Sequence, residues 1–299
     1  MTHQEGCEYS QKLNSLEVLA KCALPKMNKL FRTTAKRVLG QKRANRWYRF
    51  ASRDLPFILA LNMKSSILLR FASGKLDKLN RYEAKHCSQN GEDGIIAAIL
   101  RRVGTTNKFC VEFGVGEGRE CNTACLVRKG WSFLWMDALE GATEPIKGEY
   151  ITAENINQLF RKYDVPMAFD LLSIDIDYNT YWVWRAIEGF SPRIAVIEYN
   201  ASFLPTESVA VAYDPHGVWD GTNYFGASLL ALTKLAAEKG YTLIACDNRG
   251  VNAFFVRNDL KDSFVLRGID EIYRRPGYGK VVNRKHTGYP PSNKQFVPV

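Results

Sequence analysis

Glycines and acidic side chains follow the ends of short apolar runs in this sequence. The run 109–113 leads into the glycine turn 114–118, and a second run, 132–136, ends at Asp137. Glycine allows a backbone to approach a ligand closely, and an acid about 20 residues beyond such a turn is placed to accept hydrogen bonds from ribose hydroxyls. This order of run, turn, helix and acid predicts a nucleoside site at the edge of an open α/β sheet.

The glycine turn reads Gly-Val-Gly-Glu-Gly, so its third glycine comes one residue earlier than in the Gly-x-Gly-x-x-Gly pattern of dinucleotide sites. Glu117 and Glu120 lie where a diphosphate would bind, and their charges disfavour it. A cationic ligand without phosphate, such as S-adenosylmethionine (SAM), fits these acids better. Glu112, just before the turn, then either accepts from the ammonium of SAM or orders the turn. A structural turn without any ligand is the alternative.

Two further apolar runs also end in polar side chains. Asp175 and Asp177 end one run, and Glu198 and Asn200 end the next. An isolated buried carboxylate is costly, so several of them at one sheet edge indicate function. Either Asp175, Asp177 and Glu198 hold a divalent cation such as Mg²⁺, or one of Asp177 and Glu198 is a general base for a hydroxyl. A hydrogen-bonded network that closes the sheet edge is the structural alternative.

The stretch 201–225 is long, irregular and rich in aromatic, acidic and amide side chains. Structureless loops of this length are commonly functional, and such a lining suits a polyhydroxylated acceptor such as a sugar. His216 is a candidate general base in this loop, second to Asp177. A solvent-exposed histidine without a role is the alternative.

Several of these segments together resemble the FkbM-type branch of class I SAM-dependent methyltransferases. They are SQNGED at 88–93, VEFGVGEG at 111–118, CNTA at 121–124 and the pair Gly130-Trp131. The resemblance covers roughly residues 88–260 and implies a SAM-dependent O-methyltransferase, with the hydroxyl of a sugar or glycan as acceptor. The chain departs from the family pattern at Glu117, where Asn or His is frequent, and at Asp175-Ile-Asp177, which replaces Asp-x-Glu-Gly.

The motifs and the resemblance together give a set of SAM-binding positions. In the family, the segment that contains Gln89 closes over the methionine end of the cofactor, whereas helix capping by Ser88 or Asn90 is the alternative. Thr152 and Ala153 follow a predicted strand and are expected at the adenine, unless Thr152 only caps a helix. The full expected set is Gln89, Glu112, Gly114, Gly116, Asn122, Asp137, Thr152, Ala153 and Asp175.

Hydrophobic periodicity predicts the elements that position these residues. Helices are expected at 91–103, 121–128, 155–163 and 226–239, and strands at 109–113, 132–136, 149–152, 168–176, 194–199, 241–246 and 252–256. The expected fold is α/β, a Rossmann-like class I methyltransferase sheet that is mostly parallel. The resemblance implies that its last strand is antiparallel. Residues 284–299 are expected to form an extended surface tail.

The basic charge of the chain lies in its first part. Residues 1–87 hold 18 Lys and Arg against 6 Asp and Glu, whereas residues 88–299 hold 23 against 25. The sequence therefore predicts a basic helical extension, 1–87, and a methyltransferase-like domain, 88–299. The extension is a helical cap or dimerisation arm of a homo-oligomer, or a peripheral contact with an anionic membrane through 15–81. No nucleic-acid motif accompanies the charge, so no specific nucleic-acid partner is expected.

The seven cysteines show no spacing typical of a zinc site, and Cys121 and Cys125 are expected to be half-buried free thiols. The first ten residues are polar and lack the apolar core of a leader. A cytoplasmic protein is expected, with membrane association through the basic extension as an option. Two other functions remain open: a membrane- or partner-binding module with a vestigial nucleoside pocket, and an NAD-dependent oxidoreductase, which Glu117 and Glu120 disfavour.

Overall fold

The computed structural model describes residues 78–138 and 141–299. The chain divides between Tyr82 and Glu83, and the unit from Glu83 onward contains every predicted site residue. Of the basic segment 15–81, only residues 78–81 are described, within the 3-10 helix Leu79–Tyr82. The predicted helical extension and its membrane contact therefore lie outside the described residues. Among the described residues, no helix combines the length and the hydropathy that crossing a bilayer requires.

Most strands belong to one seven-stranded sheet. The strands are β1 (Phe109–Phe113), β2 (Ser132–Asp137), β3 (Ile146–Gly148), β4 (Ala168–Ile174), β5 (Ser191–Glu198), β6 (Val209–Ala210), β7 (Tyr241–Cys246), β8 (Asn252–Arg257), β9 (Val281–Val282), β10 (Lys285–His286) and β11 (Val297–Pro298). The sheet order is β3-β2-β1-β4-β5-β8-β7. Strand β8 pairs antiparallel with β5 and β7, and all other pairs of this sheet are parallel. The expected α/β class and mostly parallel sheet are confirmed.

Helices connect these strands. They are α1 (Glu92–Val103), α2 (Ala124–Val127), α3 (Ile156–Lys162), α4 (Thr180–Ala186), α5 (Leu229–Glu238) and α6 (Ile269–Ile272), and a second 3-10 helix spans Asn258–Ser263. Helix α5 begins where the Ser228 hydroxyl accepts from the Ala231 N–H at 3.2 Å, as expected of an N-cap. It buries Leu229, Leu232 and Leu235 on one face.

The central strands are buried on both faces, which explains their continuous apolar runs. In β4, Phe169, Leu171, Leu172 and Ile174 have no exposed surface. Aromatic rings from the helices and strands pack over these residues, and a single core cluster joins β1, β4, β5, β7 and β8 to helices α3, α4 and α5. This packing holds the carboxyl ends of β1, β2 and β4 in fixed positions at one edge of the sheet.

The predicted helix 121–128 is shorter in the structure, where only α2, Ala124–Val127, is helical. The backbone N–H groups of Asn122 and Thr123 both donate to the Glu112 carboxylate, at 2.8 Å each. These bonds hold the preceding residues in a turn, so the helix begins later than its periodicity indicates.

The third strand lies at Ile146–Gly148, and the prediction of 149–152 is wrong. Ile146 pairs with Trp135 of β2 and is only 9% exposed, so it provides the buried residue of this edge strand. The backbone N–H of Thr152 instead donates to the Asn155 side chain at 2.8 Å. The segment 149–152 therefore leads into α3 and does not extend the sheet.

The predicted strand 168–176 ends two residues early, at Ile174. Asp177 has φ +54°, a left-handed conformation that cannot continue a strand. The other predicted strands are found at or within three residues of their expected bounds.

One prediction about the cysteines is wrong: Cys125 forms a disulfide with Cys87 across 38 residues of sequence. The Cα atoms of the pair are 5.7 Å apart, because the carboxylate of Asp93 folds the segment 86–88 back by accepting from its backbone N–H groups. Cys121 is free but buried. Sequence spacing gave no sign of the pairing because it depends on this folded segment.

Candidate functional site

A cavity of about 370 Å³ opens at the carboxyl ends of β1, β2 and β4. Its volume lies within the range of about 300–1,000 Å³ that is typical of small-molecule sites. In open α/β sheets, ligands bind at this edge. The wall includes five of the predicted site residues, namely Gly114, Gly116, Asp137, Asp175 and Asp177. Here it is called the carboxyl-edge cavity.

Gly114 and Gly116 require glycine for different reasons. A Cβ added at Gly114, whose φ is +73°, would lie 1.5 Å from the carbonyl oxygen of Asp175. Only glycine therefore lets the end of β1 pack against the end of β4. At Gly116 an added Cβ would meet no protein atom within 4 Å. The space beside Gly116 is therefore open to a ligand.

Asp137 ends β2 beside this turn, as the sequence predicts. Its Oδ2 accepts from the Gly116 N–H at 2.7 Å. The carboxylate thus fixes the turn and also belongs to the cavity wall, at the strand end where dinucleotide-binding folds carry the acid that accepts from ribose hydroxyls.

Glu112 is buried beneath the turn and is fully engaged by the protein. Besides the N–H groups of Asn122 and Thr123, the Thr123 hydroxyl donates to it at 2.5 Å. The Thr123 hydroxyl also accepts from the indole N–H of Trp135 at 2.7 Å. Burial raises the pKa of Glu112 to about 7 although these donors lower it. Of the two roles considered for Glu112, this geometry is that of ordering the turn.

Asp175, Asp177 and Glu198 form a group that is called the acid cluster here. One carboxylate oxygen from each lies within 4.8 Å of the others. Burial, and then the nearby carboxylates, raise the pKa of both Asp175 and Glu198. Because two buried carboxylates this close repel each other when both are charged, their position favours a proton on one of them. Glu198 Oε2 is buried without a hydrogen-bond partner.

Asp177 differs from the other two members of the cluster because its side chain is exposed to the cavity. Burial, and then the charge of Asp137, raise its pKa. Its left-handed backbone is uncommon for a residue other than glycine, and such conformations concentrate at functional sites. The acid cluster therefore has two chemical options: it holds a proton between its carboxyls, or it binds a divalent cation through oxygen ligands.

Aromatic rings line the other side of the cavity. Tyr178 and Trp219 are part of its wall, and a Cβ added at Gly217 would lie 2.3 Å from the Tyr178 ring. The Trp219 ring contacts Tyr289, with centroids 4.6 Å apart, and Tyr289 contacts Tyr278 at 5.2 Å. Burial and then the charge of Glu198 raise the pKa of both Tyr278 and Tyr289.

Sequence analysis missed both tyrosines: Tyr289 lies in the segment 284–299 that was expected to be a surface tail, and Tyr278 lies just before it. The segment is tied to the loop 201–225. Asn223 donates its N–H to the Pro290 carbonyl at 2.8 Å, and Lys294 pairs with Asp220 at 2.8 Å. Strand β11 also pairs with β6, within that loop. No local sequence pattern signals these contacts between distant segments.

The structure places seven predicted site residues outside the cavity wall, among them Glu112 and Glu198, which are described above. Gln89 and His216 have exposed side chains, and Asn122 is buried against Glu112 and Ser173. The Thr152 N–H is engaged by Asn155, and the Ala153 N–H donates to the Tyr213 hydroxyl at 3.3 Å. Instead of Thr152 and Ala153, the preceding residues Glu149, Tyr150 and Ile151 belong to the wall. Asn200, also expected at the acid cluster, instead donates to the Asn223 and Phe225 carbonyls.

The acids of the SQNGED segment have structural partners. Asp93 accepts from the segment before it, and Glu92, which has no exposed surface, accepts from the Asn252 amide at 3.0 Å. Glu117 and Glu120 are exposed and form ion pairs with Arg119 and Lys85, at 3.0 and 3.1 Å. These two acids do not line the cavity, so they do not by themselves exclude a diphosphate.

A different feature disfavours a diphosphate at this site. Dinucleotide folds hold pyrophosphate on the N–H groups at the start of the helix after the glycine turn. Here the N–H groups of Asn122 and Thr123, just before α2, are already bonded to the Glu112 carboxylate. An anion would have to displace this carboxylate from its buried position.

No protein-family model matches the chain, and no curated protein is significantly similar to it.

Proposed function

We propose that this chain is a SAM-dependent O-methyltransferase of the FkbM type, which methylates a hydroxyl group of a sugar or glycan. The observation that carries the proposal is the meeting of three features in one cavity: an open glycine turn, an acid at the end of the next strand, and the acid cluster. The sheet order, with β8 as its one reversed strand, agrees with what the sequence resemblance implies.

The cofactor assignment depends on the turn and on Asp137. The space beside Gly116 admits the backbone-facing part of a nucleoside, and Asp137 offers its carboxylate to the ribose hydroxyls. Because Glu112 engages the N–H groups before α2, a ligand without phosphate fits better than NAD. Tyr150 and Ile151, in the cavity wall, offer apolar surface to the adenine.

When bound, SAM supplies an electrophilic methyl group on its sulfonium. In such a transfer the acceptor oxygen would bond to the methyl carbon as the carbon–sulfur bond breaks, with the electron pair left on sulfur and the hydroxyl proton taken up by a carboxylate. Asp177 is the best placed base because it lines the cavity and is the most exposed member of the acid cluster. Alignment of the acceptor oxygen with the methyl group would provide most of the rate.

The acid cluster also fits a divalent cation such as Mg²⁺, with Asp175, Asp177 and Glu198 as oxygen ligands. The cation would satisfy the buried Glu198 Oε2, which lacks a partner, and would take the place of the proton between Glu198 and Asp175. Its positive charge would lower the pKa of an acceptor hydroxyl in the cavity.

The acceptor class follows from the walls of the cavity. Rings such as Tyr178 and Trp219 stack on the apolar faces of sugars, and the carboxylates accept from sugar hydroxyls. The negative charge of the cluster disfavours an anionic group at the same position. A neutral polyhydroxylated ring meets both requirements.

Calorimetric titration with SAM, with NAD as the control ligand, tests the proposal. Wild-type protein is expected to bind SAM with micromolar affinity and NAD at least tenfold more weakly. Asp137→Asn is expected to weaken SAM binding by tenfold or more, because it removes the charge while keeping an acceptor for Gly116. Asp262→Asn, at an exposed position away from the cavity, is the matched control. Tighter binding of NAD would contradict the proposal, and binding of neither ligand would favour the interaction-module alternative.

A further inference from the structure

Near its C-terminus the chain forms a short projecting hairpin, residues 279–288, called the basic hairpin here. In it, β9 pairs antiparallel with β10, with Val282 opposite Lys285 and Val281 opposite His286. Asn283 and Arg284 have φ of +49° and +62°, as expected for a two-residue hairpin turn. At its base, a Cβ on Gly279 would lie 2.2 Å from the Gly288 carbonyl oxygen, so the two arms close tightly there.

The basic hairpin exposes apolar surface. Val281 and Val282 are 57% and 43% exposed. Among the large exposed apolar residues of the described chain, they are the only two that are adjacent in sequence. Single exposed apolar residues are ordinary, but an adjacent pair on a projecting element indicates a contact with another surface.

Within the described residues, the cations of the basic hairpin form no ion pairs with carboxylates. Lys280, Arg284 and Lys285 are exposed, and none of them forms an ion pair with a described carboxylate. The segment 272–299 contains no Asp or Glu at all. By contrast, Lys294 of the same segment is paired with Asp220.

We infer that the basic hairpin docks on an anionic lipid surface. Paired residues share a face of a hairpin, so one face carries Val282 with Lys285 and the other carries Val281 with His286. Both valines are buried together only if the hairpin enters the interface end-on. Lys280, behind the valines, then lies level with the anionic headgroups, and the long side chains of Arg284 and Lys285 reach back to them. A nucleic-acid backbone would attract the cations but would give the valines no apolar surroundings.

The position of the hairpin connects this contact to the rest of the molecule. Its base lies between Tyr278 and Tyr289, and the Tyr289 ring contacts Trp219 in the cavity wall. The lipid surface would therefore be near the carboxyl-edge cavity. The inference depends only on the exposed residues of the hairpin and does not require the proposed methyltransferase activity.

Vesicle co-sedimentation of the full chain tests this inference. The probes are phosphatidylcholine vesicles with and without 30% phosphatidylserine, and single-stranded DNA serves as a competing polyanion. Wild-type protein is expected to bind only the anionic vesicles, and increasingly weakly as salt is added. The triple variant Lys280→Gln/Arg284→Gln/Lys285→Gln is expected to lower the partition coefficient at least tenfold, since each cation near an anionic surface contributes about fivefold.

Two further variants separate charge from apolar contact. Val281→Ser/Val282→Ser is expected to lower vesicle binding severalfold while leaving its salt dependence unchanged. Arg128→Gln/Lys129→Gln/Arg161→Gln removes the same charge from exposed positions after α2 and within α3, near the amino-terminal edge of the sheet. This control is expected to change binding less than twofold. The inference is overturned if both charge variants lose binding equally, or if the hairpin variants affect DNA binding but not vesicle binding.

Discussion

Strand β4 carries one acid near each end, and the two acids have opposite surroundings. Asp170, near the start, accepts from the backbone N–H groups of Thr106, Asn107 and Lys108 and pairs with Arg193 at 3.3 Å. Asp175, just past the end, lies beside Asp177 and Glu198. In the described part of the chain, no Lys or Arg forms an ion pair with any of these three acids.

This difference separates an acid that supports the fold from one that does not. The bonds to Asp170 replace those it would make to water, so its burial stabilises the connection before β1. The acid cluster has no such compensation, and its raised pKa values show that the fold disfavours its charge. Groups that destabilise a fold and lie in a cavity are expected to have a function.

The largest effect on stability is expected at Asp170, near the start of β4. Asp170→Asn leaves the buried guanidinium of Arg193 unpaired and places amide hydrogens against backbone donors. We expect the free energy of unfolding to fall by about 3–5 kcal/mol, as for other broken buried ion pairs. Urea denaturation at pH 7.5 measures it, with Asp262→Asn as the exposed control. A loss below about 1 kcal/mol would show that Asp170 is not structural.

In the acid cluster, Glu198→Gln at the end of β5 is expected to stabilise the protein at pH 8 by about 1–2 kcal/mol. The pKa of Glu198 is raised well above 4.5 in the folded state. The unfolded chain therefore releases this proton at lower pH, and the wild type loses stability as pH rises above about 4.5. The gain from Glu198→Gln should shrink as pH falls towards that value. Thermal melting between pH 5 and 8 checks the trend, and a gain that grows at low pH would refute it.

A divalent cation is expected to stabilise the wild type by relieving the same repulsion. At a Mg²⁺ concentration ten times its dissociation constant, mass action gives about 1.4 kcal/mol. Asp177→Asn should abolish this increase in melting temperature, whereas Asp262→Asn should retain it. Equal stabilisation of both variants would mean that Mg²⁺ acts elsewhere.

The smallest effect on stability is expected at Gly116. Gly116→Ala places its Cβ in open space, so only the left-handed backbone opposes it, at about 1 kcal/mol. The methyl group would occupy space next to the nucleoside, and we expect SAM affinity to fall at least tenfold. Calorimetry measures the loss of SAM affinity, and urea denaturation of the same sample measures the loss of stability. Unchanged affinity would place SAM away from the turn.

The sequence predicted the central strands and the meeting of the acids at their ends, because buried parallel strands leave a clear apolar signature. Asp175, Asp177 and Glu198 are close together in the structure, as expected for residues at neighbouring strand ends. The α/β class followed from the same runs. Such predictions succeed where one strand and its end determine the position of a residue.

The sequence did not predict features that depend on contacts between distant segments. Tyr278 and Tyr289 reach the site because residues 290–298, after them, are bonded to the loop 201–225. The disulfide of Cys87 with Cys125 depends on a loop that Asp93 folds back. Gln89 was predicted from the SQNGED segment and Thr152 from its place after a predicted strand. In the structure the Gln89 side chain is exposed, and the Thr152 N–H donates to Asn155.

The most direct test of the contrast along β4 is the unfolding free energy of Asp175→Asn, measured at pH 8 beside Asp170→Asn. Both variants replace one carboxylate, within β4 or directly after it, by an amide of the same size. We expect opposite signs, with Asp175→Asn more stable than the wild type and Asp170→Asn less stable. If Asp175→Asn loses as much stability as Asp170→Asn, the acid cluster supports the fold and the carboxyl-edge cavity is not a site maintained for a ligand.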